Sequence, residues 1–137
     1  MIRKSTVSWK GSGKDGKGTV TTQSGVLKDT QYSWHSRFEE GIGTNPEELL
    51  ASAHAGCFTM KLSFVLASKN FISESIDTVC SVTIDNGEIT LSHLDVTAKV
   101  PGITMEQFQE CAMEAKENCV VSKLFNTLKT MKATLVS

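Results

Sequence analysis

Cys57, with His54 three residues before it and Lys61 four after, sets a thiol between two potential cations at helical spacing. Residues three or four apart share a helix face, and a thiolate needs a nearby positive charge to be stable and reactive. Arg37, in Ser33-Trp34-His35-Ser36-Arg37-Phe38-Glu39-Glu40, is a third candidate cation. Its fixed charge and planar fork suit polarising a thiolate and a peroxide oxygen together. Each residue also has an ordinary reading. Free cysteine often packs as a small hydrophobe, His54 fits a satisfied core histidine, Lys61 a surface lysine on a long stem, and Arg37 a solvated loop arginine. The helix dipole gives Cys57 no help, because the helix start lies about 18 Å away along the axis.

Two other chemistries are weaker. His54 and Cys57 share a face and could ligate together, but Cys111 and Cys119 complete no metal-binding spacing, so no metal and no cofactor are expected. No GxSxG elbow supports a hydrolase.

The elements that must position these residues belong to a chain of 137 residues and 14.9 kDa, enough for one domain spanning 1–137. Fourteen Lys+Arg against fifteen Asp+Glu, with no basic cluster, argues against a nucleic-acid partner. The longest uninterrupted apolar run, Phe64-Val65-Leu66-Ala67, argues against a membrane partner, and no signal-peptide pattern opens the chain. The expected compartment is the cytoplasm. There, four cysteines without a CxxC pair point to redox chemistry rather than to a disulfide framework.

Ser5–Trp9, Thr19–Thr22, and Val26-Leu27 running on to Tyr32–His35 predict a three-stranded meander. Asn45, Pro46, Glu47 and Glu48 carry N-cap, first-turn and dipole signals for a helix running to about Ser68. From Leu49 to Ala67 nearly every face is apolar or small, which predicts a helix buried all round. Its length of roughly 34 Å exceeds what one small domain covers, so a homodimer is expected to cover the rest. Thr78–Ile84 reads as a strand with Cys80, Val82 and Ile84 on one face, turning at Asp85-Asn86-Gly87. The return strand changes phase between Leu91 and Leu94, predicting a bulge near His93. Thr104 and Gln107 form a capping box for a helix with a Met105, Phe108, Ala112 and Ala115 stripe. A shorter helix follows Cys119, with Val121, Leu124, Phe125 and Leu128 on one side, and Met131, Ala133 and Leu135 alternate as a closing strand. The fold class is α+β, in the order β3-α-β2-α2-β.

The segment Gly43-Thr44-Asn45-Pro46-Glu47-Glu48-Leu49-Leu50-Ala51-Ser52-Ala53-His54-Ala55-Gly56-Cys57-Phe58 closely resembles the signature of the OsmC/Ohr family of osmotically inducible and organic-hydroperoxide-resistance proteins. Cys119-Val120-Val121-Ser122-Lys123 resembles its second cysteine motif, and the resemblance covers essentially the whole chain. Ala53-His54-Ala55 looks more like the OsmC branch than the Ohr branch. The resemblance implies intertwined homodimers with an active site at each end of the interface, and reduction of organic hydroperoxides by a thiol peroxidase. Carried over by position, Cys57 would be the peroxidatic cysteine, Cys119 the resolving cysteine, Arg37 the activating arginine and Glu47 its carboxylate partner. An external dithiol would be the reductant. One departure stands out: Val120 follows the second cysteine where the family usually has proline, and valine keeps an N–H and a free φ.

Glu47 and Cys57 are ten residues apart, roughly 15 Å of rise on one helix, so an Arg37 held by Glu47 would have to reach Cys57 from the other subunit. Phe58 and Met60 would favour alkyl hydroperoxides, Cys80 reads as core, and Cys111 has no assigned role. The alternatives are a catalytically idle stress or lipid-binding relative of the same fold, and a metal-binding module.

Overall fold

The computed structural model describes all 137 residues, in two compact units, Met1–Leu49 and Leu50–Ser137. In the first unit, β1 (Ser5–Lys10), β2 (Lys17–Thr22) and β3 (Thr30–Tyr32) form an antiparallel sheet in that order. Val7 pairs with Val20 and Trp9 with Gly18, and the Trp9 ring lies 5.3 Å from that of Tyr32.

The third strand is shorter than its sequence suggests. Val26-Leu27 lie in the turn before it, with Val26 exposed and the Leu27 carbonyl accepting from the Thr22 N–H at 2.9 Å. After Tyr32 the chain enters a short helix, α1 (Trp34–Phe38), instead of continuing extended. The cause is local. Ser33 is the N-cap, its hydroxyl accepting from the Ser36 N–H while Ser36 Oγ accepts from the Ser33 N–H at 2.8 Å. Such reciprocal capping is normally worth about 1 kcal/mol.

Helix α2 (Pro46–Ser68) starts where expected, with Asn45 Oδ1 accepting from the Glu48 N–H at 2.8 Å. It stops in a Schellman motif, in which Phe71 N–H bonds to Leu66 O and Asn70 N–H to Ala67 O, both at 3.0 Å, with Asn70 at φ +64°. Phe71 then packs on the core.

In the second unit, β4 (Ser75–Asp85) and β5 (Glu88–Lys99) form a long hairpin through Asn86-Gly87, both at positive φ. A crossover through α3 (Met105–Asn118) and α4 (Val120–Leu124) brings β6 (Leu128–Val136) parallel to β5. The bulge lies three residues earlier than expected. Thr83 pairs with Leu91 and Ile84 with Ile89, so Thr90 is the extra residue, while His93 pairs regularly with Ser81. This shift turns Ile89, Ser92, Leu94, Val96 and Ala98 all toward the helices.

The core of this unit packs Phe58, Leu62, Val65 and Leu66 of α2 against Leu94, Val96 and Ala98 of β5 and Phe108, Cys111, Ala112 and Ala115 of α3. Cys111 takes the place on the α3 stripe expected of Met105, which is half exposed. Leu124 is exposed on α4, and Leu128 opens β6 instead of extending the helix. Within the chain α2 is buried on one face only. His54, Phe58, Leu62, Val65 and Leu66 point inward, whereas Ala53, Gly56, Met60, Phe64 and Ala67 are exposed. By length and composition α2 could cross a membrane, with a mean hydropathy of 1.4 over its most apolar stretch.

Candidate functional site: two cysteines and a buried histidine

In the first unit, the capping serines that end β3 also bind the loop before α2. Ser36 Oγ donates to Thr44 O at 2.8 Å, and Asn45 Nδ2 donates to Ser36 O at 3.0 Å. Gly43 permits the approach. It sits at φ +116°, and a Cβ there would lie 2.2 Å from Gln31 O, so no side chain fits. These ties set Arg37, near the end of α1, beside Glu47 in the first turn of α2. Arg37 Nε donates to Glu47 Oε1 at 2.8 Å, and the guanidinium closes on the same oxygen through Nη2 at 2.7 Å. Glu47 is largely buried, while the Arg37 side chain remains 44% exposed. Arg37 and Glu47 are therefore brought together, with the guanidinium 5.0 Å over the Phe38 ring.

In the second unit, Cys57 lies on α2, partly buried against the core, and Cys119 is fully buried at the junction of α3 and α4. Both thiols are free and neighbour one another. Burial pushes the Cys119 thiol up from its ordinary value of 9.0, and the Cys57 thiol pushes it further. The Ser122 N–H, the Ser122 hydroxyl and the Val121 N–H face the sulfur and pull the other way. Cys119 has extended backbone, φ −62° and ψ 131°, and is the N-cap of α4. Val120 is the first helical residue, so the turn keeps the form of a helix start even without proline.

His54, one turn before Cys57, has no exposed surface. Its Nδ1 lies 2.7 Å from Ser92 Oγ and its Nε2 2.7 Å from Ser122 Oγ. The Phe125 ring stands edge-on at 5.1 Å. Cys80 Sγ closes the group, 3.3 Å from Ser92 Oγ and 3.8 Å from His54 Nδ1. Burial lowers the imidazole below its ordinary value of 6.5, and the Lys129 ammonium lowers it further. That ammonium is held by Phe125 O at 2.7 Å and Thr127 O at 3.1 Å. Cys80 is thus on the inward face as expected, but in a polar seam, and burial pushes its thiol up.

Ser92 and Ser122 were not singled out by sequence reasoning. The available signals were a lone hydroxyl in the inward phase of β5 and a serine three residues after Cys119. Lys61 is half-buried on α2, Phe58 is entirely in the core and Met60 is exposed. No group of three or more His, Cys, Asp or Glu side chains converges to hold a metal ion.

Chemically, the second unit holds a partly accessible thiol beside a buried one, an arrangement that can close a disulfide. The first holds a guanidinium locked to a carboxylate.

Comparison with known proteins agrees with this layout. Residues 39–133 match the family model described as OsmC-like protein. The chain is 41% identical to the peroxiredoxin OsmC of Escherichia coli, over 98% of this chain and 97% of that protein. Among solved structures, the organic hydroperoxide resistance protein OhrB of Bacillus subtilis superposes with a TM-score of 0.64 at 26% identity, over 97% of this chain and 98% of that one. An OsmC-like protein of unknown function from Vibrio cholerae gives a TM-score of 0.76 at 16% identity, over 97% and 99%. With the family model spanning most of the chain and a near full-length relative, this protein belongs to the OsmC family.

Proposed function

We propose that the chain is a cysteine peroxidase that reduces organic hydroperoxides to alcohols, with Cys57 as the peroxidatic and Cys119 as the resolving residue. The observation that carries this is the pairing of a partly accessible Cys57 thiol with a buried Cys119 thiol beside it. The names of the Escherichia coli and Bacillus subtilis relatives, a peroxiredoxin and a hydroperoxide-resistance protein, support a peroxidase-type function. The reaction runs in three balanced steps. The Cys57 thiolate attacks the peroxide O–O bond, taking one oxygen as sulfenic acid while the alkoxide leaves and is protonated to the alcohol. Cys119 then attacks the sulfenic sulfur, forming the disulfide and releasing water. An external dithiol reduces the disulfide by exchange and is itself oxidised. Four free cysteines and the need for a reduced dithiol pool fit a cytoplasmic setting.

Activation of Cys57 falls to Arg37, held by Glu47. In the proposed assembly the arm that carries Arg37 and Glu47 comes from a second copy of the chain. The exposed side of α2 supports a homodimer. Ala53, Gly56, Met60, Phe64 and Ala67 form an uncovered stripe, and beyond its chain neighbours and its own helix backbone nothing lies within 4 Å of where a Gly56 Cβ would be. Glycine there leaves room for another backbone. An apolar cleft of about 350 Å³, lined by Leu50, Val82, Ile89, Leu124 and Phe125, suits an alkyl group.

Stopped-flow oxidation by cumene hydroperoxide against hydrogen peroxide, followed by mass spectrometry of the sulfurs, tests the assignment. The expected result is faster reaction with the organic peroxide and a Cys57–Cys119 disulfide. Equal peroxide consumption by wild type and Cys57→Ser would refute it. Mixing Cys57→Ser with Arg37→Ala should restore part of the activity in mixed dimers, and no recovery would count against shared sites.

A further inference from the structure

The closing strand carries a lysine where its pattern calls for an apolar side chain. β6 pairs in parallel with β5, with Lys129 opposite Ser92, Met131 opposite Leu94, Ala133 opposite Val96 and Leu135 opposite Ala98. Successive side chains alternate between the two faces of a strand, and residues paired across a sheet share a face. Ser92 reaches inward to His54, and Met131, Ala133 and Leu135 pack on the core, so Lys129 also points toward the helices. An ammonium on that face needs acceptors. It finds them in the turn between α4 and β6, donating to Phe125 O at 2.7 Å and Thr127 O at 3.1 Å. Carbonyls at a helix C-terminus lack intrahelical partners, and a lysine there is a suitable donor.

The turn held in this way is one wall of the apolar cleft. Thr127 Oγ1 ties it to β5 by donating to Ile89 O at 2.8 Å, and the Phe125 N–H bonds to Val121 O at 3.1 Å. With its backbone fixed at these points, Phe125 presents its ring edge-on to His54 at 5.1 Å and lines the cleft together with Leu50, Val82 and Ile89. Leu50 lies seven residues before Cys57 on α2, two helical turns, which puts the two on one face about 10 Å apart. A linear alkyl chain of that length runs from the Cys57 position to the cleft. Lys129 does not line the cleft, so it acts on an occupant only through the turn.

Resting on the peroxidase reading, we propose that Lys129 is a positioning residue for substrate specificity. It fixes the Phe125–Thr127 turn so that the Phe125 ring closes the cleft around the alkyl tail of a linear hydroperoxide. Its effect falls on capture of the tail. Attack of Cys57 on the O–O bond needs nothing from the cleft, so a peroxide too short to enter it is indifferent to Lys129. Replacement by methionine keeps an unbranched apolar stem and removes the donors, which leaves both carbonyls to find water and frees the ring to swing outward. Arginine keeps the charge and the donors.

The test is stopped-flow oxidation of the reduced full chain by n-octyl and by tert-butyl hydroperoxide, with binding of n-octanol titrated by NMR. Wild type should prefer the octyl peroxide. Lys129→Met should lower the octyl second-order rate constant by about tenfold or more and the tert-butyl constant by less than about twofold. It should weaken n-octanol binding in step with the octyl constant, and Lys129→Arg should restore most of both. Phe125→Ala, which leaves the lysine and its carbonyls in place, should cause the same loss. Adding Lys129→Met to it should cause no more, because the lysine acts through the ring. An unchanged octyl constant in Lys129→Met, an equal fall toward both peroxides, or effects of the two substitutions that simply multiply would overturn the proposal. Failure of wild-type Cys57 to react with either peroxide, with n-octanol binding still lost in Lys129→Met, would overturn the peroxidase reading alone and leave Lys129 as the residue that holds an alkyl-binding cleft.

Discussion

Arg37 closes on a single oxygen of Glu47, Oε1, at 2.8 Å from Nε and 2.7 Å from Nη2, and leaves Glu47 Oε2 buried without a partner. A symmetrical fork would use both oxygens. Here the guanidinium is turned so that its remaining N–H groups point away from the carboxylate. Glu47→Gln removes the charge that aims the guanidinium while keeping the side chain's size. Oxidation of Cys57 by cumene hydroperoxide should slow by roughly tenfold to a hundredfold, about 1.4 to 2.8 kcal/mol in barrier. Stopped-flow kinetics under pseudo-first-order conditions measure this, and a change of less than twofold would detach Glu47 from the site.

On the proposed mechanism, Cys119→Ser would leave Cys57 with no partner to capture its oxidised form. The variant should consume about one equivalent of hydroperoxide and then stall, with Cys57 advancing to sulfinic acid under excess peroxide. Sustained turnover with a dithiol reductant would remove Cys119 from the resolving role.

Val120 occupies the first position of α4, where an amide N–H has no intrahelical partner and proline is well accommodated. The preceding residue, Cys119, already has the extended backbone that a following proline demands. Val120→Pro should therefore raise stability by about 0.4–1 kcal/mol through loss of unfolded-state freedom, with no loss of disulfide formation. Urea unfolding monitors the first and the cumene hydroperoxide assay the second. Destabilisation by more than about 1 kcal/mol would mean that the valine sets the turn in a way proline cannot.

Local signals carried the sequence reading wherever one short motif decides the structure. Asn45-Pro46 opened α2, Thr104 and Gln107 capped α3, and Asn86-Gly87 turned the hairpin, all as their residue types dictate. The misreadings came where a tertiary choice decides. Tyr32–His35 has aromatic strand character, but the Ser33/Ser36 capping pair turns the chain into α1, and that turn is what brings Arg37 to Glu47. The phase change in β5 was visible, yet its bulge falls at Thr90 because pairing with β4 sets it. The roles of Ser92 and Ser122 as His54 partners join residues 38 and 68 positions away in the chain, which no local pattern encodes.

Met60 and Phe64 lie four residues apart on the uncovered side of α2, 64% and 65% exposed. In the proposed homodimer these two side chains lie in the interface. Phe64→Asp places a charge in that surface, where burial without a partner costs several kcal/mol. Light scattering at micromolar concentration should find wild type as a dimer and the variant as a monomer. A wild-type monomer would eliminate the shared site.

His54 and the buried thiols set opposite limits on stability. The imidazole is lowered in the folded protein by burial and then by Lys129, while in the unfolded chain it titrates near 6.5. As pH falls below that value, the unfolded state binds a proton that the folded state refuses, so stability falls with acidification until the folded value is passed. Cys80, Cys111 and Cys119 are shifted the other way, each raised above 9.0 mainly by burial. Above about pH 9 the unfolded thiols lose protons that the folded ones keep, so stability falls again as pH rises. Reduced protein should thus be most resistant to urea between about pH 7 and 8.5. His54→Gln should be less stable than wild type at neutral pH, because an amide cannot reproduce both imidazole contacts, and its acid-side slope should flatten. Urea melts from pH 5 to 10 in the presence of a reductant read both limbs. An acid slope equally steep in wild type and His54→Gln would show that some group other than the Ser92–His54–Ser122 line governs it.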